Sequence, residues 1–537
     1  MTNHLINKNV DIYKYPNELE HNLGSITLGD LHGNPIKLIH FLFRQQIIQF
    51  KDTVENNEKT YEQLVTLYEQ YGEILEAYLE NRTLLQLTQV KIDNAKERIA
   101  NQDRQLSLEA NSDTQQYQAI IQLRQQTLEK LQTAEEECLK LKQKLTEPKD
   151  KLSHCIAQFN LFMNQVEVRD NQTMIRLLGD EITDRGNCDY FTFRILNLLK
   201  QTHCPLTILV SNHGSEFIYA FEQFMAGNPF LPQGYIADFQ IPSFWGLKLL
   251  LENDIISHEE LTRLVNELYK PALKIIDYTI SEKGITLFSH APIRFDAIQL
   301  MAQSLGVHYD DATAEALAAT IEQINYRFQS YLENNSVHTL FHTDAIHDRT
   351  NMSEQERAAW PLVYLFWNRW DETKEIQTAR PATHNNYCIT YVHGHDCFQS
   401  LLTHIFNLDT PCGKEARKTE EKQIDLMFRY IIENRNKTVD KTAAEFYLRH
   451  VLRYKVLNSD EAHLEHKERN KPESIKTHQD NGLNSSIKIL SRLGRSALPP
   501  PISYMELNAA NKLSTKELIV ASREEEIIFA SALGVTN

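Results

Sequence analysis

The sequence predicts an α/β fold interrupted by a long helical insertion, and three observations carry that prediction. Short apolar, β-like runs recur at 24–29, Met174–Leu178, Leu206–Val210, Gly284–Phe288 and Tyr387–Val392. Each ends in a polar cluster, the place where α/β sheets gather ligands. Between the first run and the second, Lys51–Leu145 holds one glycine and no proline, and Glu, Gln, Lys and Leu dominate it.

The first unit reads as a strand over Gly24–Gly29 and a helix from Pro35 to about Gln49, with Pro35 suited to a first helical turn. In the insertion, apolar residues recur at spacings of three and four: Leu64, Leu67, Tyr71, Ile74 and Tyr78, then Ile120, Leu123, Leu128 and Leu131. A polar break over Ser107–Asp113 divides the pattern, so residues 51–146 are expected to form an antiparallel coiled-coil hairpin. Its leucines are needed first for the seam between the helices. The outer face is left for a protein partner. Pro148 marks a break, and a shorter helix to about Val168 leads back to a core made of residues 1–50 and 147–412.

Asn228–Trp245, rich in proline and aromatics, reads as an ordered loop or cap. Lys414–Leu457 is charged but helically patterned, so 413–457 is expected to be a helical C-terminal region. Residues 458–537 read as a linker and tail, stiffened at Pro499–Pro501 and carrying acidic Glu524–Glu526.

The 537 residues carry a formal charge of −16, which argues against nucleic acid as the main partner, since phosphate binding needs clustered Lys and Arg. Seven scattered cysteines without a Cys-x-x-Cys pair read as free thiols in a reducing compartment. Met1–Tyr15 lacks the pattern of a signal peptide, and no stretch approaches the roughly 20 apolar residues of a transmembrane helix.

The chemistry lies in five motifs, each at the end of an apolar run: Gly29-Asp30-Leu31-His32-Gly33, Gly179-Asp180 with Asp184-Arg185-Gly186, Asn212-His213, Ser289-His290-Ala291-Pro292 and His393-Gly394-His395. Carboxylate, imidazole and amide together suit a pair of hard divalent cations such as Mn²⁺, about 3.5–4 Å apart. Asp30 and His32 are expected to serve one cation, Asp180 to bridge, and Asn212, His290 and His395 to complete the second. A hydroxide between the cations would then be the nucleophile on a phosphomonoester. Arg185 offers a planar fork for phosphate oxygens. His213 is placed to protonate the leaving oxygen, with Asp184 orienting its ring.

These motifs resemble those of the phosphoprotein phosphatase (PPP) superfamily, whose pattern is GDxHG, GDxxDRG, GNHE and two further histidines. The resemblance implies a PPP-type metallophosphoesterase β-sandwich flanked by helices, and the residue roles just given. It also implies a second phosphate arginine between the last two histidines, for which Arg369 is the candidate and Arg294 the alternative. Two motifs depart from the pattern. The second, Gly179–Gly186, is one residue longer, and the third reads Ser211-Asn212-His213-Gly214-Ser215-Glu216, with its glutamate displaced.

With the insertion and the acidic tail, the chain is most similar to the Wip-type effector phosphatases that Legionella injects through its type IV secretion system. That resemblance implies an Mn²⁺-dependent phosphatase of host phosphoproteins, with phosphotyrosine favoured, acting in the host cytoplasm. Glu524–Glu526 would belong to a translocation signal. Competing readings are a phosphoserine/threonine phosphatase, a dinucleoside-polyphosphate hydrolase, and a non-catalytic coiled-coil adaptor.

Two further patterns are set aside. Cys188–Arg194 fits Cys-x5-Arg, but its intervening Asp189, Tyr190, Phe191, Thr192 and Phe193 cannot wrap backbone N–H groups around phosphate. That segment reads as a helix. His338 and His342 are spaced i, i+4 without a recognisable carboxylate partner.

Overall fold

The computed structural model describes residues 5–20, 24–108, 115–146, 148–370, 377–396, 400, 402–414 and 453–458. It is a mixed α/β protein that divides into two compact units. One comprises Met1–Val65, Phe162–Lys248 and the chain from His258 onward; the other comprises Thr66–Leu161 with Leu249–Ser257.

The first unit is built on two sheets and a small ribbon. The six-stranded sheet contains β1 (Leu5–Asn9), β2 (Ser25–Leu28), β5 (Met174–Leu177), β6 (Leu206–Leu209), β7 (Leu273–Lys274) and β13 (Arg453–Asn458), in the order β1-β13-β2-β5-β6-β7. β2, β5, β6 and β7 run parallel, while β13 is antiparallel to both β1 and β2. The second sheet holds β8 (Asp277–Ser281), β9 (Gly284–Ser289), β10 (Thr383–His384), β11 (Tyr387–His393) and β12 (Ile405–Asn407). In it β11 is parallel to β9 and β12. β3 (Ile48–Phe50) and β4 (Val166–Val168) form the antiparallel ribbon.

Leu178, Leu209, Phe288, Val392, Phe406, Leu408 and Leu457 pack as one buried cluster drawn from both large sheets. Each such side chain contributes roughly 1.5–3 kcal/mol through burial. A buried arginine also ties the sheets together. Arg176 on β5 pairs with Asp277 on β8 at 2.6 Å, donates to Thr27 Oγ1 at 3.0 Å and lies over the Phe288 ring at 3.8 Å. Parallel pairing brings the C-terminal ends of β2, β5 and β6 to one edge of their sheet, and those of β9 and β11 to one edge of theirs.

The helices start where the sequence places their caps. In α1 (Pro35–Arg44) the Asn34 side chain accepts from the N–H groups of Ile36 and Lys37, and Pro35 fills the first turn. The expected extension to Gln49 does not form. Gln46 takes a left-handed φ of 55°, the helix stops at Arg44, and Ile48–Phe50 becomes a strand. The returning helix likewise ends at Asn164, and Val166–Val168 pairs with β3 instead. Lys51 N–H donates to Gln165 O at 2.9 Å, so the stretches flanking the insertion run side by side within this unit.

The expectation of a helical 413–457 is corrected at its end: Arg453–Asn458 is a strand. The remainder from 415 to 452, the linker, the proline run and the acidic tail lie outside the described residues.

The second unit is the hairpin. Its helices are α2 (Asn57–Leu108), which begins in the first unit, α3 (Gln115–Thr146) and α4 (Lys149–Asn164). Ile92 meets Ala134 and Cys138 in its seam, flanked by Leu85 and Leu131. Asp103 pairs with Arg124 and Lys96 with Glu135, so numbers rise on one helix as they fall on the other, the mark of antiparallel packing. Those ion pairs are solvent-exposed and contribute little; the apolar seam holds the hairpin. Among the described residues no helix is long and apolar enough to cross a membrane.

Candidate metal centre

Strand ends and the turns after them deliver the site. Asp30 and His32 follow β2, Asp180 follows β5, Asn212 and His213 open α6 (Asn212–Met225) after β6, His290 follows β9 and His395 follows β11. Four non-glycine residues here hold left-handed backbone: His32 (φ 58°), Asp180 (52°), Thr183 (56°) and His395 (60°). Such conformations cost roughly 1–3 kcal/mol each and persist where surrounding structure imposes them, which is typical of functional sites.

One cluster gathers Asp180, His290 and His395, whose ligand atoms lie within 4.8 Å of one another. His290 Nδ1 donates to the Leu178 carbonyl at 2.8 Å, leaving Nε2 to face Asn212 Oδ1 (3.0 Å), His395 Nδ1 (3.2 Å) and Asp180 Oδ1 (3.5 Å). Burial lowers the pKa of His290, and burial with the charge of Arg369 lowers that of His395. Both rings are thereby kept neutral, the state in which imidazole binds metals.

A second cluster joins Asp30, His32 and Asp409, again with ligand atoms within 4.8 Å of one another. Asp30 Oδ2 accepts the His395 N–H at 2.8 Å. Burial, then the charges of Asp409 and Asp180, push Asp30 well above the usual carboxylate range. Burial would raise Asp409 too, but Lys414, His32 and Lys37 outweigh it and hold that group low.

Asp184 joins metal and proton chemistry. Fully buried, it meets His32 Nδ1 through Oδ2 (3.2 Å), and Arg185 Nη1 (2.8 Å) and His213 Nε2 (3.5 Å) through Oδ1. Burial disfavours its charge, yet His213, Arg185 and His32 hold its pKa well below the ordinary value. The His32–Asp184 contact fixes the ring so that Nε2 points at the cluster. His213 Nδ1 is tied to the Thr183 carbonyl at 2.6 Å, turning Nε2 toward Asp184.

Four buried atoms here have no hydrogen-bond partner: Asp30 Oδ1, Asp180 Oδ1, His395 Nε2 and Asp409 Oδ1. Unpaired buried oxygen and nitrogen lone pairs are costly unless a cation takes them. The donor set, oxygens with imidazole nitrogens, fits hard or borderline divalent ions.

A cleft of about 120 Å³ opens over both clusters and is lined by Arg185, His213 and Arg369. Arg369 Nη1 donates to the His395 carbonyl at 2.7 Å, whereas Arg294 pairs with Asp296 and does not line the cleft. Tyr235, Ile236, Gln240, Trp367, Asp409 and Lys414 also line it; none was singled out from sequence. Asp409 did carry a signal: it follows the apolar strand β12, as Asp30 follows β2.

The displaced glutamate of the third motif has its own task. Glu216, one turn into α6, accepts the N–H groups of Gly234 and Ile236 at 3.0 Å each, and so anchors the cap segment beside His213. Burial pushes its pKa up to about 7 against those stabilising N–H groups.

The two patterns set aside are also accounted for. Cys188 is buried at the N-terminus of α5 (Asp189–Gln201), so the five residues between it and Arg194 are helical and do not form a phosphate-cradling loop. His338 does have a carboxylate partner, Glu222 at 2.6 Å, and lies on a short 3₁₀ turn rather than an α-helix.

Residues 174–414 match the family model of the WipA-like phosphatase domain, and residues 59–163 match that of the WipA α-helical hairpin. Among solved structures, the chain is similar in fold to the phosphatase domain of the Legionella effector WipB. There the identity is 24% and the TM-score 0.50, covering 70% of this chain and 100% of that one. No curated protein sequence matches the chain.

Proposed function

For a chain that belongs to the WipA-like phosphatases, as its two matched regions show, we propose a metal-dependent protein phosphatase with a PPP-type centre. The observation that carries this reading is the set of partnerless buried atoms on Asp30, Asp180 and His395, converging under a cleft that also holds two arginines. Asp30, His32 and Asp180 would hold one divalent cation, and Asp180, Asn212, His290 and His395 a second, with Mn²⁺ our choice for both. Bound there, such a pair acidifies water and neutralises charge building on a phosphoryl group.

The protein's own residues do the rest. Arg185, steadied by Asp184, and Arg369, steadied by the His395 carbonyl, grip phosphate oxygens and set the ester in line. His213 delivers a proton to the leaving oxygen, held in orientation by the Thr183 carbonyl and Asp184. Phosphotyrosine is our choice of substrate ahead of phosphoserine or phosphothreonine, and Tyr235 and Trp367 are the aromatic residues of the cleft that would meet an aryl ester. From the resemblance of its motifs, insertion and acidic tail to Wip-type effectors, we place its action on host phosphoproteins after type IV secretion into the host cytoplasm.

The test is turnover of phosphotyrosine, phosphothreonine and dinucleoside-polyphosphate substrates by chelated and Mn²⁺-loaded protein, with Asp180→Asn beside the wild type. Mn²⁺-dependent release from phosphotyrosine, abolished in the folded D180N protein, is expected. Full activity after chelation overturns the mechanism, and turnover of the dinucleotide alone overturns the substrate class. Inactivity on all three with metal bound leaves the hairpin-bearing chain an adaptor.

A further inference from the structure

We propose that Asp409, which belongs to none of the five motifs, is a ligand of the first cation, alongside Asp30 and His32. The inference rests on the metal-centre reading above and adds a residue to it.

Four observations converge. Asp409 is buried and its Oδ1 makes no hydrogen bond of good geometry, as Asp30 Oδ1 makes none. Asp409 Oδ1 lies 3.3 Å from His32 Nε2, the ring nitrogen that the His32–Asp184 contact leaves directed at the cluster. Neighbouring ligands of a cation held at about 2.1 Å in octahedral geometry stand about 3 Å apart, so this spacing is that of two atoms sharing one ion. Thr410 O, at 2.8 Å from the same Nε2, stands at a comparable spacing.

Backbone bonds also position the carboxylate. Asp409 N–H donates to Asn407 Oδ1 at 2.8 Å, and Lys455 Nζ on β13 donates to the Asn407 carbonyl at 2.9 Å. Asp30 Oδ1, in the same buried group, has no hydrogen-bond partner. Burying two carboxylates side by side is unfavourable unless positive charge lies between them.

A third carboxylate changes what the centre prefers. Oxygen-rich, more anionic positions suit Mn²⁺ and Mg²⁺ better than softer ions. Asp409 also ties the first cation to the chain at 405–413, hundreds of residues from His32 in sequence, so metal binding should order that segment.

Mn²⁺ stoichiometry and affinity are to be measured by equilibrium dialysis with elemental analysis, on full-length wild type, Asp409→Asn and His290→Asn. The wild type should hold two equivalents. D409N should lose tenfold or more in affinity for one equivalent and keep the other, and its rise in Tm on adding Mn²⁺ should shrink. Two equivalents bound with wild-type affinity by folded D409N overturn the proposal. Wild type and H290N binding no Mn²⁺ at all would instead refute the metal-centre reading itself. If D409N does not fold, hydrogen exchange on the wild type decides: Mn²⁺ should protect amides of 405–413. Protection confined to the segments of Asp30, Asp180, His290 and His395 overturns the assignment.

Discussion

A Cβ built on Gly394 would stand 1.8 Å from Asp30 Oδ1, so the absence of a side chain at Gly394 is what lets the Asp30 carboxylate occupy its place. The sequence His-Gly-His is therefore read in space as one contact: His395 donates its N–H to one oxygen of Asp30, and Gly394 makes room for the other. Gly394→Ala should push the carboxylate aside by about an ångström without unfolding a core that lies elsewhere. A displacement of that size costs on the order of 10²-fold in turnover. Steady-state kinetics with Mn²⁺ titration checks this, and unchanged metal affinity in the variant would contradict it.

The cysteine pattern and the histidine acid make opposite forecasts. Cys188 sits buried at a helix start, so Cys188→Ser should leave kcat close to the parent value. His213→Asn should lose roughly 10²–10⁴-fold in kcat on a substrate with a poor leaving group. An activated aryl phosphate needs little proton donation, and its loss should be much smaller. Comparing the two esters on both variants separates the chemistries.

Excising the hairpin should spare the chemistry, and the structure moves the cut sites from those the sequence suggested. Tyr61 belongs to the first unit, where its hydroxyl donates to the Ile12 carbonyl at 2.7 Å, so cutting near residue 52 would damage that unit. Deleting Thr66–Leu161 and bridging with a short Gly/Ser linker keeps it, since loop closure costs little at that length. Aryl phosphate hydrolysis should persist, while action on a protein substrate should weaken. Rates on both substrates, with a melting curve to register exposure of Leu249–Leu251, test that division of labour.

Acid should destabilise the fold partly through His40. Burial, aided by the charge of Arg44, lowers its pKa from 6.5 to about 3. The unfolded chain therefore binds a proton the folded one refuses, so this stabilisation is complete above pH 6.5 and lost as pH falls toward 3. One such proton gives a slope of up to about 1.4 kcal/mol per pH unit. In His40→Gln, urea denaturation of chelated protein between pH 6 and 4.5 should show a shallower fall than the wild type. Equal slopes would mean His40 is not buried neutral.

The strands bearing the five motifs were legible because parallel, doubly covered strands are nearly pure apolar runs, and the ligand residues follow them directly. What escaped the sequence follows from other physics. β13 reads Arg-Tyr-Lys-Val-Leu-Asn, and its buried Lys455 gives its ammonium to the Asn407 carbonyl. Charge there suggested a solvated helix. The early stop of α1 depends on Gln46 accepting left-handed backbone, a position where glycine would have been the signal. Asp409 has no motif around it, and Tyr235, on a loop, and Trp367, at the end of a helix, reach the cleft through tertiary placement.

The placing of β13 between β1 and β2 means that a segment made after every proposed metal ligand supplies an interior strand of the main sheet. Until residues 453–458 emerge, β2 presents a bare hydrogen-bonding edge, and β1 has no partner through which to join the sheet. A gene fragment cut at 414, where the matched phosphatase region stops, would carry every proposed metal ligand and still make a protein with an open seam. Expression of such fragments should yield aggregates, and adding back the 453–458 strand, even as a separate peptide, should restore solubility. The chain thus holds its sheet unfinished until well after its last ligand has been made.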